Sequence, residues 1–403
     1  MRADESDDTL ATGPPMQAPV RDLGERLGSG ATPSIARPRN ERLVLALVRR
    51  HGTLSKAEIA RRSGLSAQTA TVITRRLEDE GLLRRGTPEK GRIGQPAVPF
   101  SLDPGGAVAF GIKVGRRSAE FMAIDLVGDT VAYERIGYGY PAPDKVLGFI
   151  GACLGGYGDR SGLTGIGVAL PWQIWGWLGG SELDADAIDA MEAWRGVNIV
   201  EAIGRLADVP VLTCNDGTAA TRAENAFGLG RSLADYATFY IGHFVGGGIV
   251  LGHRVFEGRT GNAGAFGTLP MGDGGQLLER ASLSVLHGRL RAGGHDPLGM
   301  TDPRGDWTAI GPELDRWIGE SATALASASV AIGSVLDLEA IAIEGQFPPM
   351  VRERLAAAVR EALRGVDTRG IEPPAILEGT IGHLARVRGA AALPLFARHF
   401  IDD

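Results

Sequence analysis

The apolar positions change pattern along the chain. From residue 43 to residue 77 they mark helices, and from residue 107 they fall mainly in short runs of β type. Leu43, Leu45, Leu47 and Val48 mark a first helix. Ser55 followed by Glu58 is a capping box that opens a second, with Ile59 and Ala60 as its apolar side. Gly64 sits where that helix must end, and Leu65 packs under the turn. Ser66 caps a third helix, on which Ala70, Ile73 and Leu77 form the buried stripe. Gln68, Thr69, Thr71 and Arg75 occupy the opposite side. Leu82 and Leu83 begin a strand, and Arg84, Arg85, Lys90 and Arg92 decorate the hairpin after it. Gly91, Gly94 and Pro96 predict a bent, narrow tip around Arg92 and Gln95. The pattern over residues 37–101 is thus a winged helix-turn-helix. Residues 1–36 lack periodicity and are read as a disordered tail. Residues 99–104 read as the junction between this head and the body of the chain.

The second pattern predicts strands at residues 107–113, 119–126 and 131–136, a helix at 144–157 and a strand at 165–170. A similar start recurs at 237–242 and 246–252. Three antiparallel strands, a helix and a buried strand make a ribonuclease-H-like lobe. Its repetition predicts an α/β body of two related lobes with a cleft between them, the actin and sugar-kinase architecture. Lobe 1 is expected at 102–230, completed by 385–403, and lobe 2 at 231–384. The acidic run from Asp184 to Asp189 reads as a solvated loop, and Gly246–Gly248 as a hairpin turn.

Charge sharpens this picture. Residues 37–92 hold 14 Lys/Arg against 6 Asp/Glu, whereas the whole chain carries −6. A basic module on an acidic body is the electrostatic footprint of a DNA-binding head. Small polar and cationic side chains on the exposed side of the third helix suit base edges and phosphates. Lys56, Ser66, Gln68, Thr69, Thr71, Arg75, Arg92 and Gln95 are therefore the candidate DNA contacts. The narrow tip has the shape to enter a minor groove. The two cysteines, Cys153 and Cys214, have no Cys or His neighbour at ligand spacing, so neither a disulfide framework nor a metal site is expected. No uninterrupted run of 18 apolar residues and no signal-peptide core appear, and a cytoplasmic location is expected.

Beyond residue 40 the chain resembles the ROK family (repressors, open reading frames and sugar kinases), in its transcription-regulator branch. The residues that carry this are the winged head, Val211–Ala220 with its Asn215-Asp216 pair, Gly258-Arg-Thr-Gly-Asn-Ala-Gly264, and Leu278-Glu279 with Ala281-Ser282. The resemblance also shows what is missing. The first phosphate turn of the kinase branch, Asp-x-Gly-x-Thr, stands here as Lys113-Val-Gly-Arg-Arg117. The second reads Gly242-His-Phe-Val-Gly246, with bulky Phe244 where backbone must close on phosphate. The adenosine-side turn reads Ile343-Glu-Gly-Gln-Phe347, where Glu344 would repel a phosphate if it faced one. The family's sugar-binding Glu and His are Ala265 and Thr268. Its cysteine cluster is replaced by residues 272–276, with Leu277 at a ligand position, so no zinc and no cofactor are expected.

Positioning and electrostatics supply most of phosphoryl-transfer catalysis, so these losses predict a body without kinase activity. Asp216 matches the family's base, and Asn215, Asp216 and Glu279 are the candidate effector contacts. Asn215 and Asp216 equally suit a helix cap. His243 is read as structural. Trp172, Trp175 and Trp177 suit either a sugar face or a packing patch. The expected function is a DNA-binding regulator, a repressor of carbohydrate-related genes. It would bind a palindromic operator in double-stranded DNA as a homodimer or homotetramer and sense a sugar or sugar derivative. Two rivals are an ATP-dependent sugar kinase with a regulatory head and a DNA-binding architectural protein whose body binds nothing small.

Overall fold

The computed structural model describes residues 36–88, 98–158, 161–175, 185–272 and 274–401. The head begins with α1 (Arg39–His51), β1 (Leu54–Ser55), α2 (Lys56–Ser63) and α3 (Ala67–Asp79). The Ser55–Glu58 capping box is formed in both directions, and Gly64 ends α2 in the left-handed region at φ 70°. On α3 the buried positions are Ala70, Thr74 and Leu77, with Ile73 only half-buried. Thr74 enters the core because its hydroxyl donates to the Ala70 carbonyl at 2.8 Å, which removes the cost of burying it.

β2 (Leu83–Arg85) and β3 (Pro99–Leu102) complete the wing, in a three-stranded sheet ordered β1-β3-β2. Residues 99–102 are therefore the returning strand of the wing rather than a junction. Leu83 faces Leu102 and Arg85 faces Phe100. Phe100 and Leu102 alternate inward into the head core, and Pro99 sits at the strand's first position, where it interrupts least. The wing tip, with Arg92 and Gln95, and the tail before residue 36 lie outside the described residues.

The body is one plan used twice. β4 (Val108–Val114), β5 (Ser118–Asp125) and β6 (Thr130–Gly137) are antiparallel; α4 (Pro143–Gly156) leads to β7 (Leu163–Leu170). The segment beginning at residue 185 is helix α5 (Ala185–Glu192), not a solvated loop, because Ala187 and Met191 fall one turn apart and bury. α6 (Ile199–Gly204), β8 (Val211–Asn215) and α7 (Asp216–Phe227) come next, giving the sheet order β6-β5-β4-β7-β8.

The second sheet contains β9 (Tyr236–Ile241), β10 (Val245–Leu251) and β11 (Arg254–Phe256). Short helices α8 (Leu278–Ala281), α9 (Leu283–Ala292) and α10 (Pro297–Met300) precede the long α11 (Gly311–Leu336). β12 (Ala340–Gly345), α12 (Pro349–Leu363), β13 (Ala375–Glu378) and α13 (Ala385–His399) end the chain. The order β11-β10-β9-β12-β13 repeats the first sheet strand for strand, with β12 and β13 parallel. Gly246–Gly248 lie inside β10, paired with Tyr240, Phe239 and Thr238, so the hairpin turn is at residues 242–244. α11 is long and apolar enough to cross a membrane by composition. Trp317, Leu325 and Ile332 on it are buried in the second lobe's core, as in a core helix.

α13 returns to the first lobe and lies between the β4–β7 face and α7. Its close seat requires glycine. A Cβ at Gly167 would collide with the Ala390 carbonyl, and one at Gly389 with the Ala219 carbonyl. The far end of α13 meets the head. Val44, Leu45 and Val48 of α1 share one apolar cluster with Val387, Leu395, Phe396 and Phe400. Arg42 donates from Nε to the Phe400 carbonyl at 2.8 Å, and Arg49 donates to the Ala226 carbonyl at 2.7 Å. The Arg49 guanidinium also covers the Phe396 ring at 4.7 Å. Head and body are thus continuous through a packed core.

Candidate nucleic-acid interface and interlobe cleft

The outer face of α3 carries Gln68, Thr71, Val72 and Arg75, all exposed. Arg75 reaches only a loose ion pair with Asp79 at 3.9 Å, and both side chains are largely in solvent. Arg76 is committed elsewhere, to Glu41 and Glu80. Ser66 and Thr69 serve the head's own fold: the Ser66 hydroxyl accepts from the Thr69 amide at 3.1 Å, and the two hydroxyls meet at 2.8 Å. Thr71 donates its hydroxyl to the Ala67 carbonyl at 2.8 Å, which leaves its methyl outward. Lys56 is half-buried with its ammonium 5.5 Å from the Phe100 ring centre. Sequence reasoning missed Val72, which is 61% exposed. An apolar tip one turn after Gln68, on a face otherwise polar, is a natural contact for a thymine methyl.

The second site is the cleft between the sheets, a cavity of about 360 Å³, within the range of small-molecule sites. Asn215 and Asp216 line it where β8 ends and α7 begins. The cap reading of this pair is realised, and both residues also line the cavity. Asn215 caps α7, its Oδ1 accepting from Gly217 at 2.8 Å and from Thr218 at 3.3 Å. Its Nδ2 donates to Asn262 Oδ1 at 3.3 Å in the cavity wall. Asp216 is held by a partner 170 residues away: Arg386, the second residue of α13, donates to Asp216 Oδ2 at 2.9 Å. Arg386 is buried and stacks over Tyr240, with its guanidinium carbon 4.6 Å from the ring centre.

Lys113, at the metal-organising Asp position, is buried. It donates to Ser118 Oγ at 2.8 Å and to Glu120 Oε1 at 3.0 Å. Burial pulls its ammonium down to about 8, against the attraction of Glu120. Burial works to raise the Glu120 carboxyl, yet Lys113 and Arg386 hold it below the ordinary carboxylate value. A buried cation–carboxylate pair therefore stands at the position that the family resemblance assigns to a metal-organising aspartate. Phe244 stacks against the Arg116 guanidinium at 5.1 Å, so this turn closes on a side chain.

Three sequence readings are relocated. Glu279, a candidate effector contact, does not line the cavity; it is exposed and its carboxylate turns back to accept from the Gln276 amide at 3.1 Å. Glu344 does not face the cleft as a free charge. It is buried, accepts from the Gly382 amide at 3.0 Å, and is pushed up to about 8 by burial and by Glu224. Leu277 belongs to the second lobe's apolar core. Of the tryptophans, Trp172 lines the cleft, Trp175 lines a neighbouring cavity, and Trp177 lies outside the described residues. His243 lines the cleft and burial, with nearby arginines and His287, drives it down to about 3, so its imidazole is neutral at ordinary pH.

Comparison with known proteins agrees with this geometry. The ROK family model matches residues 109–279, and the MarR family model matches residues 37–93. An uncharacterised protein, y4fQ, of Sinorhizobium fredii is 27% identical over 368 residues, covering 90% of this chain and 92% of that protein. The DNA-binding transcriptional dual regulator NagC of Escherichia coli is 26% identical over 248 residues, so the match spans only 58% of that regulator's length. The crystal structure of a ROK family transcriptional regulator, described as a homolog of the E. coli MLC protein, superimposes with a TM-score of 0.63. It covers 89% of this chain and 96% of that chain at 21% identity, a likeness of fold. The chain accordingly carries a ROK family domain over residues 109–279, on a sugar-kinase-like fold, behind a winged helix-turn-helix head of the MarR type over residues 37–93.

Proposed function

We propose that this protein is a DNA-binding transcriptional repressor of carbohydrate-related genes, with a body that senses a small ligand and does not transfer phosphate. One observation carries the reading: α13 joins the cleft to the head. Arg386 near its start pairs with Asp216 in the cavity, and Phe396 near its end packs under Arg49 of α1. Ten helical residues separate the two, about 15 Å. A ligand that prefers one arrangement of the cleft shifts the helix, and the helix shifts the head. The size of that response is the ligand's difference in affinity between the two arrangements.

The role of Gln68, Thr71, Val72 and Arg75 as DNA contacts, and of Asn215 and Asp216 as ligand contacts, belongs to this reading. Two heads in a homo-oligomer would meet two half-sites spaced by whole helical turns. The kinase alternative suffers from the same geometry. A carboxylate pinned by Arg386 is poorly placed to accept a sugar hydroxyl's proton, and base catalysis is worth only about 10²–10⁴-fold even when intact.

The test pairs two assays on the full chain. A ligand found in a thermal-shift panel of sugars and sugar derivatives should release bound operator DNA, and Arg49→Ala should reduce that release while leaving the thermal shift in place. Release that is unchanged in Arg49→Ala would refute the α13 route. Sugar-dependent ADP formation that vanishes in Asp216→Asn would restore the kinase.

A further inference from the structure

The cleft carries more positive charge than its own carboxylates account for. Lys113, Arg116, Arg117, Arg135 and Arg386 line it, against Asp216 and Asp302. Each carboxylate in reach is already engaged. Asp216 takes Arg386, Glu120 takes Lys113, and Asp302 takes Arg304 at 3.0 Å. Arg135 faces Glu120 across the β5–β6 ladder, but no ion pair within 4.0 Å joins them. Among the described residues, Arg116 and Arg117 donate only to carbonyls, those of Ile174 and Gly139. They are consecutive, half-buried and like-charged, so each raises the cost of the other. Burial draws both guanidinium groups down, Arg116 to about 10. Phe244 meanwhile fixes the Arg116 plane by stacking, which removes rotamer freedom before anything binds.

A second observation is independent of these charges. Arg386 Nε and His243 Nδ1 are buried in the cavity wall without a hydrogen-bond partner. Buried polar atoms of this kind are rarely left unmade in a finished site. An acceptor-rich group entering from the cleft would reach these shielded atoms after a small side-chain shift, beside Arg117, which has no carboxylate partner among the described residues, and Arg116, which feels the charge of Asp216.

We infer that the Arg116–Arg117 turn, with Arg386 and His243, is a binding site for the anionic group, phosphate or carboxylate, of a small polar ligand. This rests on the sensing role proposed above for the cleft and names the ligand class. Where a kinase would organise magnesium with an aspartate, this chain presents arginines directly to the anion. Arginine suits this because its planar fork matches both oxyanions.

Isothermal titration of the full chain without DNA tests the site. The probes are inorganic phosphate, glucose 6-phosphate, gluconate and AMP, with glucose as the uncharged control. The expected result is that at least one charged probe binds at least tenfold tighter than glucose. Affinity should fall with added sodium chloride and drop at least tenfold in Arg116→Gln/Arg117→Gln. Phosphate-bearing probes against gluconate decide which anion is preferred, and AMP reports whether a nucleotide supplies it. Because the two cations repel each other, the double variant should unfold at the same temperature as the wild type or higher, while losing the stabilisation the anion gives. Glucose binding as tightly as the charged probes, no binding by any charged probe, or anion affinity unchanged in the double variant would overturn the site. Binding that is intact but leaves operator affinity unchanged would keep the site and remove its regulatory role.

Discussion

Replacing Arg386 by Met tests whether Asp216 is a structural acid rather than a free base. The pair is buried: the Arg386 side chain is 9% exposed and that of Asp216 20%. Removing one partner of such a pair costs about 3–5 kcal/mol, because the other charge stays behind unpaired. The partial exposure of Asp216 places the cost near the lower bound. Loss of the stack on Tyr240 adds about 1 kcal/mol. Met retains much of the apolar stem, so little cavity is created. The expected loss is about 3–4 kcal/mol, and at about 2–4 °C per kcal/mol for large domains the body's thermal transition falls by about 6–16 °C. Asp216→Asn alone also destabilises, because it strands Arg386. The double variant Asp216→Asn/Arg386→Met recovers at least about 2 kcal/mol over the sum of the singles, a coupling within the range for contacting groups. A transition that moves by less than about 2 °C in Arg386→Met, under the smallest shift expected from the same scaling, or strict additivity of the two changes, refutes the pairing and reopens Asp216 as a base.

Other outcomes rest on the same geometry. Gln68→Ala changes which operators are bound, measured by competition among sequence variants, whereas Arg75→Ala weakens all DNA alike and reduces the slope of log affinity against log salt by about one contact; equal losses on every sequence for both would contradict the division of labour. His399, bonded to Thr164 at 3.2 Å, is driven down to about 3 by burial and by Arg37 and Arg398. The unfolded state then binds the extra proton, so this stability is complete above pH 6.5 and is lost as pH falls toward the folded value. His399→Phe should flatten the fall in melting temperature as pH drops from 6.5 toward about 3, and a parallel fall in both proteins would show that His399 does not drive it.

Much of the head was legible because its signals are local. Ser55 with Glu58, Gly64 and Ser66 each act within a few residues, and each does in the structure what its type dictates. The strand starts of both lobes were legible from apolar runs. The misplaced elements all depend on distant partners. Residues 99–102 are a strand because β1 and β2 flank them on both sides, and a four-residue run gives no such sign. Gly246–Gly248 look like a turn in isolation, yet they pair with β9, and Thr238, Phe266 and Thr221 leave no room for a side chain at Gly247 and Gly248.

The cleft was legible as a set of losses and illegible as a set of gains. Lys113 at an Asp position was visible, but its partner Glu120 lies across a hairpin. Arg386 is 170 residues from Asp216, and only the return of α13 brings them together. Glu279 illustrates the converse: its position after Leu278 matches the family, but a short local turn aims its carboxylate at its own backbone.

Reading of duplex DNA by α3 underlies every functional step proposed above. It is tested most directly by selecting fragments from a randomised duplex library with the purified full chain at about 0.1 M salt, where exposed charges act over roughly 10 Å. A two-fold symmetric sequence should be enriched, with enrichment lost in Gln68→Ala/Arg75→Ala while the melting temperature is unchanged. An unenriched pool, or enrichment that survives the double substitution, would contradict it.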